Sequence, residues 1–382
     1  MDDLRILVIP TTDWTGHPVP NRLNFIFDRL SKRHNVDICH FKMFDEEKRE
    51  TKCNLIDMGC KPNSEVGTYY LTNFRNYSEK LRDISEDYDV LISSNIIPGF
   101  MANLQDTVVI MDYLDHFPQS ASSYYEKPLD RFVEKIADWL TSFNLKKADG
   151  IITPTSRFKD HLGEKIDSDI IKVVPNGLDL DKINAVDPSK IYDKYDLSKP
   201  VLGYVGSLEG WIDLESVIEL MPSIKKRYPK AKLLVVGPDL HTDYSDFLEE
   251  LSEKIGVEDD VIFVGRVDYD DLSPYISAMD VGLNPRKPMK MNSLTMGAKV
   301  LTYLACGVPV LSKNMPEAEE RFFGEGVHSY KDPSEFLGKL AGCLAENVYP
   351  DVVRKYDWDI LSREYEKAIL EFMNREETVD QS

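Results

Sequence analysis

Short apolar runs that are continuous rather than alternating set the strongest limit on how this chain folds. Six occur in the first half ("RILVIP", "VDICHF", "DVLISS", "TVVIMD", "GIITPT", "IKVVPN") and, after a polar stretch, six more ("VLGYVG", "KLLVVG", "VIFVG", "DVGLNP", "VPVLS", "GVHSY"). A strand covered on both faces reads as an unbroken apolar run, because neither face meets water. Amphipathic segments such as "NRLNFIFDRLSKRH" and "IDLESVIELMPSIKKRYP" lie between the runs, the latter stopped at Pro229. Strand and helix in alternation imply parallel sheets, and the restart implies two Rossmann-like halves of about six strands each. The predicted domains are residues 1–178 and 200–357, with 179–199 as linker. An aromatic-rich helix at about 358–374 closes back on the first domain, and "REETVDQS" reads as a disordered tail. Ligands of such sheets gather beyond the carboxyl ends of the strands, so two halves predict a cleft between domains.

Length and charge narrow the function. With 382 residues the chain exceeds one ordinary core, and 42% hydrophobic with 29% charged residues is the balance of a globular protein. A net charge of −20 argues against nucleic acid as a partner, since phosphate neutralisation needs a basic face. No apolar run approaches the roughly 18 residues of a membrane span. "MDDLRILVIP" enters a strand from an acidic flank, unlike a signal peptide, so a cytoplasmic location is expected. The five cysteines are scattered, with no C-x-x-C pair and no histidines at zinc spacing, and read as reduced thiols.

The loops after the first strand of each half, "TTDWTGHPVPN" and "GSLEGWID", lack G-x-G-x-x-G, which excludes a nicotinamide or flavin fingerprint. Gly16 and Gly206 are turn glycines that could let backbone approach a phosphate. The informative stretch is "NPRKPMKMNSLTMGAKVLTYLACGVPVLS", where Arg286, Lys287, Lys290 and Lys299 gather at a strand end and a helix start in an otherwise acidic chain. Helix-start amides add positive potential, and the combination predicts a diphosphate site. Asp112, Asp115 and His116 follow a strand end; the histidine could orient a hydroxyl, while the acids read equally as a helix cap. Trp14 and Trp211 read as packing residues, "DYDD" at 268 onward as no metal site, and "IKKRYPKAK" at 224–232 as a basic helix end before it reads as a membrane patch.

These segments together resemble the retaining glycosyltransferases of family four, the group 1 type, with the GT-B fold. "KVLTYLACGVPVLS" is similar to their K-x-x-E-Y-L-A-x-G-x-P-V-V-S segment, and "DVGLNPRKPMKMNSLT" to the D-V-x-L-x-P-F…N-x-L-T loop of one branch. "KADGIITPTSRFKDHL", "IKVVPNGLDL", "GYVGSLEGWIDLESVIEL", "VVIMDYLDHF" and "YDWDILSREYEK" resemble further family segments in the same order. The resemblance implies two Rossmann-like domains facing a cleft, the first on the acceptor side and the second holding a nucleotide-sugar donor.

It also implies roles, position by position. Lys299 would meet the donor diphosphate with Arg286 or Lys290, while Asn292, Ser293, Leu294 and Thr295 cradle phosphate and sugar. Arg266 and Val267 would border the nucleobase, and Gly206 and Thr302 complete the donor side. Gly16, Asp112, Asp115 and His116 would face the transferred sugar and acceptor, with Asp13 and Trp14 also on the acceptor side; Asp115, His116 and Lys299 are the catalytic candidates. The sequence departs from the family where many members carry two glutamates eight apart, here Leu294 and Thr302, and where other branches carry an Arg and Lys pair after the second half's first strand. A hydroxyl in place of a carboxylate implies donor binding weaker by about tenfold.

The implied activity is transfer of a sugar, with retention, from a nucleotide donor to a glycan or lipid-linked acceptor in surface polysaccharide or glycoprotein glycan assembly. No metal or cofactor is implied beyond the nucleotide-sugar co-substrate, and a peripheral contact with the inner face of the membrane is an expected partner. Two alternatives stand beside it: a non-catalytic GT-B nucleotide-sugar-binding partner, and a nucleotide-sugar epimerase.

Overall fold

Successive residues of a parallel strand point to opposite faces of its sheet, and the strand Arg5–Ile9 (β1) shows what that requires here. Ile6 and Val8 enter one buried cluster, Leu7 and Ile9 another, so both faces are covered by helices. The computed structural model describes residues 3–17, 20–40, 42–44, 47–61, 66–122, 127–239 and 243–379. It divides into two compact units, Met1–Pro175 with Trp358–Ser382, and Asn176–Asp357.

The first unit adds β2 (Asn35–His40), β3 (Asn54–Asp57), β4 (Val90–Ser93), β5 (Val109–Asp112), β6 (Gly150–Thr153) and β7 (Ile171–Val173). All pairings are parallel, in the order β3-β2-β1-β4-β5-β6-β7. Seven strands stand where the apolar runs predict about six. The extra one is β3, "NLID", a half-exposed edge strand too short and polar to register as a buried run. The helix Arg22–Leu30 starts at a capping box, in which the Asn21 side chain accepts from backbone amides and Asn24 answers it.

The closing helix, Trp358–Val379, packs on that first helix and contributes Trp358, Leu361, Tyr365, Ile369 and Phe372 to the cluster of Ile6 and Val8. It runs into the stretch expected to be a tail; residues 380–382 lie outside the described residues. A buried polar knot fixes it. Asp112, at the end of β5, lies 3.4 Å from Arg22 Nε and accepts from Tyr365 Oη at 3.0 Å, while Arg22 donates to the Val174 carbonyl at 2.8 Å. Burial raises the Asp112 carboxyl above its ordinary value, with Arg22 and Tyr365 opposing the shift.

The second unit holds β8 (Val201–Val205), β9 (Lys232–Val236), β10 (Val261–Gly265), β11 (Val281–Pro285), β12 (Val310–Lys313) and β13 (Val327–Ser329). Its order is β10-β9-β8-β11-β12-β13, again parallel throughout. Both sheets are doubly wound, and in each the strand order reverses at one place, between β1 and β4 and between β8 and β11. Among the described residues no helix is long and apolar enough to cross a membrane.

Breaking a buried ion pair from one side leaves an uncompensated charge, at a cost of about 3–5 kcal/mol. Arg22→Met should therefore destabilise the first unit by that order at pH 7, and less at low pH where Asp112 takes up a proton. The double variant Arg22→Met with Asp112→Met should recover most of the loss in denaturant unfolding. Simple addition of the two single effects would refute the coupling.

Candidate functional site

Open parallel sheets bind ligands where the strand order reverses, because the loops of neighbouring strands diverge there and leave a crevice. In the second unit that place is the carboxyl end of β8 and β11. Gly206 leaves β8 with φ +135°, a conformation L side chains rarely adopt, and a Cβ there would stand 2.8 Å from Lys299 Nζ. The loop from Gly206 is stapled to the end of β11: Ile212 bridges Arg286, the Asp213 amide donates to the Pro285 carbonyl at 3.2 Å, and the Lys287 amide to the Trp211 carbonyl at 3.0 Å.

Lys299 comes from the helix Ala298–Ala305, whose Val300, Leu301, Tyr303 and Leu304 are buried in the core. Tyr303 anchors it, since its hydroxyl accepts from the Val205 amide at 2.8 Å. Lys299 Nζ donates to Tyr204 Oη at 2.6 Å and stands over that ring, 3.9 Å from its centroid. Tyr204 Oη in turn donates to the Ser207 carbonyl at 2.8 Å. Arg286 is steered by Asn284, which accepts from its Nε at 3.4 Å and donates to Ser312 at 3.0 Å.

Among the described residues no carboxylate lies within 4 Å of Lys299 or Arg286. Burial, and then the neighbouring Arg286 charge, push the Lys299 amine well below its ordinary value. Burial also lowers Arg286, with Tyr204 and Tyr303 opposing. The pair is a concentrated positive site with no internal counter-ion. It can take a diphosphate.

The other cations of the stretch diverge. Lys287 is drawn to Glu215 at 2.8 Å, and Lys290 is exposed at the start of the short helix Lys290–Leu294. Asn292 is a buried fastener rather than an open cradle, its amide donating to the Lys287 carbonyl at 2.9 Å and the Trp211 carbonyl at 3.3 Å. Leu294 is buried, Ser293 donates to the Lys290 carbonyl at 2.7 Å, and Thr295 is extended before the next helix. The Thr302 hydroxyl donates back to the Lys299 carbonyl at 2.8 Å. Beyond β10, Arg266 pairs with Asp268 at 3.0 Å and Val267 packs on the core. Tyr204 and the buried Glu209 receive no role from the sequence: the tyrosine hides inside an apolar run, and the glutamate is one of two acids in a short loop.

In the first unit the structure corrects several acceptor-side expectations. Trp14 is fully buried, its Nε1 donating to Thr51 at 3.1 Å, so its ring has no surface to offer an acceptor. Asp13 is buried too, accepting from the amides of Gly16 (2.8 Å), Met43 (2.8 Å) and Phe44 (3.1 Å) and from His40 (3.3 Å). Burial alone would raise its carboxyl, but His40 and those amides outweigh it and hold the group well below the usual carboxylate range. Gly16 is a glycine for the same reason, since a Cβ would stand 2.6 Å from Asp13 Oδ2. Asp112 belongs to the Arg22 and Tyr365 knot rather than to a surface. Asp115 accepts from the His116 amide at 2.7 Å, and the His116 ring meets His161 edge-on, 5.5 Å between centroids.

Two family models match in succession: Glycosyltransferase Family 4 over residues 26–182, and Glycosyl transferases group 1 over residues 199–346. The chain belongs to the group 1 glycosyltransferases. A Bacillus subtilis relative of this family, TuaH, named as a glycosyltransferase of teichuronic acid biosynthesis, is 27% identical over 180 residues, 44% of this chain and 42% of its own length. A Mycobacterium tuberculosis GDP-mannose-dependent alpha-(1-6)-phosphatidylinositol monomannoside mannosyltransferase is 28% identical over 156 residues, 39% of this chain and 40% of that one. The chain thus spans less than half the length of both relatives. Among solved glycosyltransferase structures, Anabaena HepE in complex with UDP and glucose superposes with a TM-score of 0.74 at 14% identity, covering 96% of this chain and 100% of that one. The fold is GT-B.

A half-buried cation beside another cation destabilises the empty protein, so Lys299→Met should raise the melting temperature at pH 7, by about 3 °C. The same change should abolish the thermal shift produced by nucleoside diphosphates. A variant that keeps its nucleotide shift would remove Lys299 from the site.

Proposed function

We propose that this glycosyltransferase moves a sugar, with retention at the anomeric carbon, from a nucleoside-diphosphate donor to a glycan or lipid-linked acceptor in the building of surface polysaccharides or glycoprotein glycans. The observation that carries the donor half is the pairing of Lys299 with Arg286 at the reversal point of the second sheet. In the reaction proposed, the bond between anomeric carbon and diphosphate oxygen breaks while the acceptor oxygen bonds on the same face. The acceptor's proton passes to the departing diphosphate. Positive charge already fixed where negative charge develops lowers such a barrier without reorganisation, and positioning supplies the rest.

On this reading residues 200–357 hold the donor, 179–199 form the linker, and 1–178 with the closing helix serve the acceptor. Gly206 and the Asn292–Thr295 backbone approach the diphosphate and sugar; Lys290, Arg266, Val267 and Thr302 border the nucleotide; Asp115 and His116 serve the acceptor hydroxyl. The name of the HepE complex (UDP and glucose) and that of the mycobacterial mannosyltransferase (GDP-mannose) support a nucleotide-sugar donor.

A surface feature supports a lipid-linked acceptor met at the cytoplasmic face of the membrane. The helix Leu129–Lys147 exposes Leu129, Phe132, Ile136 and Trp139, spaced three and four apart, with Phe132 and Trp139 61% and 63% exposed. The band continues through Phe143 to Phe100, whose ring centroids lie 5.1 Å apart. Arg131 and Lys135 alternate with it on the same helix, together with Asp130, Glu134 and Asp138. The exposed aromatic and aliphatic band, rather than the mixed charges beside it, is what suits a helix lying in a lipid interface. The basic run at 224–232 suits it less, because Lys225 and Lys232 both pair with Asp260.

Calorimetric titration with UDP, GDP, ADP and TDP should give saturable binding to one of them, and turnover of the matching nucleotide-sugar should yield a product whose anomeric configuration, read by NMR, matches the donor's. No binding to any diphosphate would overturn the proposal. Phe132→Ser with Trp139→Ser should lower partition onto phosphatidylcholine vesicles containing anionic lipid by roughly a hundredfold, as expected for two lost apolar anchors. Partition equal to the wild type would remove the helix from that role.

A further inference from the structure

The loop that leaves β8 carries an unexplained group. Glu209 is 1% exposed, yet its Oε2 meets no hydrogen-bond donor among the described residues. Buried polar atoms are almost always partnered, and a carboxyl left without a donor lowers stability, so its retention calls for a reason. Its position supplies one. Glu209 lies three residues after Gly206, in a loop held on one side to β9's exit, where the Leu208 amide donates to the Pro238 carbonyl at 3.0 Å, and on the other to Arg286 through Ile212. The charge of Glu209 acts on Tyr204, the residue that carries the Lys299 ammonium, while Asp239 beyond β9 acts on Glu209. The two cations stay out of ion-pair reach of it, neither lying within 4 Å. The strand-end loops therefore offer a pair of cations and, apart from them, an open carboxylate acceptor.

A ligand that fills both features has an anionic part and, next to it, hydroxyl groups. We propose that Glu209 accepts hydrogen bonds from hydroxyls of the donor adjoining the diphosphate, on its ribose or on the transferred sugar; the inference rests on the donor reading above. A carboxylate accepts from two neighbouring hydroxyls at once, whereas a carboxamide or a protonated acid offers a weaker acceptor. Burial and then Asp239 push the Glu209 carboxyl up to about 7. Among the described residues the charged and titratable groups that act on it or feel it are Tyr204 on β8 and Asp239 after β9. Donor binding that needs the carboxylate should therefore strengthen as pH rises through about 7.

The test compares wild type with Glu209→Gln by calorimetry between pH 6 and 8.5, using the nucleoside diphosphate that the wild type binds, its 2′-deoxy analogue and the matching nucleotide-sugar. About tenfold weaker binding of the diphosphate and nucleotide-sugar at pH 8, with the 2′-deoxy analogue unaffected, assigns the ribose. The same loss confined to the nucleotide-sugar assigns the transferred sugar. Either result carries with it a wild-type affinity that rises with pH and a variant affinity that does not.

Affinity separates this role from a merely structural one, and stability reports the raised carboxyl independently of binding. A raised carboxyl favours the fold at low pH, and that contribution is lost as pH rises from the ordinary carboxyl range through about 7. Glu209→Gln should thus melt above the wild type at pH 8, with the gap narrowing by pH 5, whatever Glu209 binds. Equal affinities in variant and wild type for all three ligands would overturn the inference and leave the donor site standing. A wild type that binds no nucleotide would overturn the donor reading, and this inference with it.

Discussion

Two cations do not settle side by side, partly out of water, unless the fold compels them, and the second unit is organised around that compulsion. Lys299 is delivered by a helix whose neighbouring tyrosine is bonded to the strand below it, and its ammonium rests on Tyr204 because Gly206 leaves the room. Arg286 is fixed by β11, by Asn284 and by the bridge to Ile212. Two acids of the neighbourhood are engaged elsewhere, Glu215 with Lys287 and Asp213 with Lys313 at 2.7 Å, and Glu209 stays out of ion-pair reach. What remains is unbalanced positive charge at a sheet's reversal point. Energy withheld from the empty protein is available to an anion that arrives.

The first unit uses the same topology to the opposite end. At its reversal point the loop after β1 turns about a carboxylate, Asp13, which collects amides from two chain segments and a histidine. Every oxygen is satisfied, so the loop is locked by its charge rather than waiting for one. Deeper in the same unit Asp112 is enclosed by Arg22 and Tyr365, and the knot ties three elements that are far apart in the chain. Two Rossmann-like sheets thus differ less in their strands than in whether the charge at their edge has already found a partner.

Much of this was legible in the residues. Strands buried on both faces announce themselves as apolar runs, which is why twelve of the thirteen strand positions need no more than hydropathy to find; β3 escapes because an edge strand facing water has no reason to be apolar. Lys299 and Arg286 stand out because cations are scarce in an acidic chain. Asp13 and Asp112 mislead for a common cause: sequence places a residue near a strand end but says nothing of which way it turns, and both turn inward, as does Trp14, whose packing reading holds. Tyr204 and Glu209 are illegible for the converse reason. Their meaning lies in the space between β8 and a helix nearly a hundred residues later, and no local pattern encodes that space.

The course of the chain has a consequence of its own. The second unit is an insertion: the chain leaves the first at Pro175 and returns at Trp358, and the two passages lie together where the Leu178 amide donates to the Tyr356 carbonyl at 3.0 Å. During synthesis the ribosome delivers every strand of the first sheet long before the helix that covers one of its faces. Until Tyr365 emerges, Asp112 and Arg22 lack their lid, and the face lined by Ile6 and Val8 lacks Ile369 and Phe372. The second unit, continuous in sequence, can finish while the first is still open, so the chain's course lets the later-made half mature before the one that was started first.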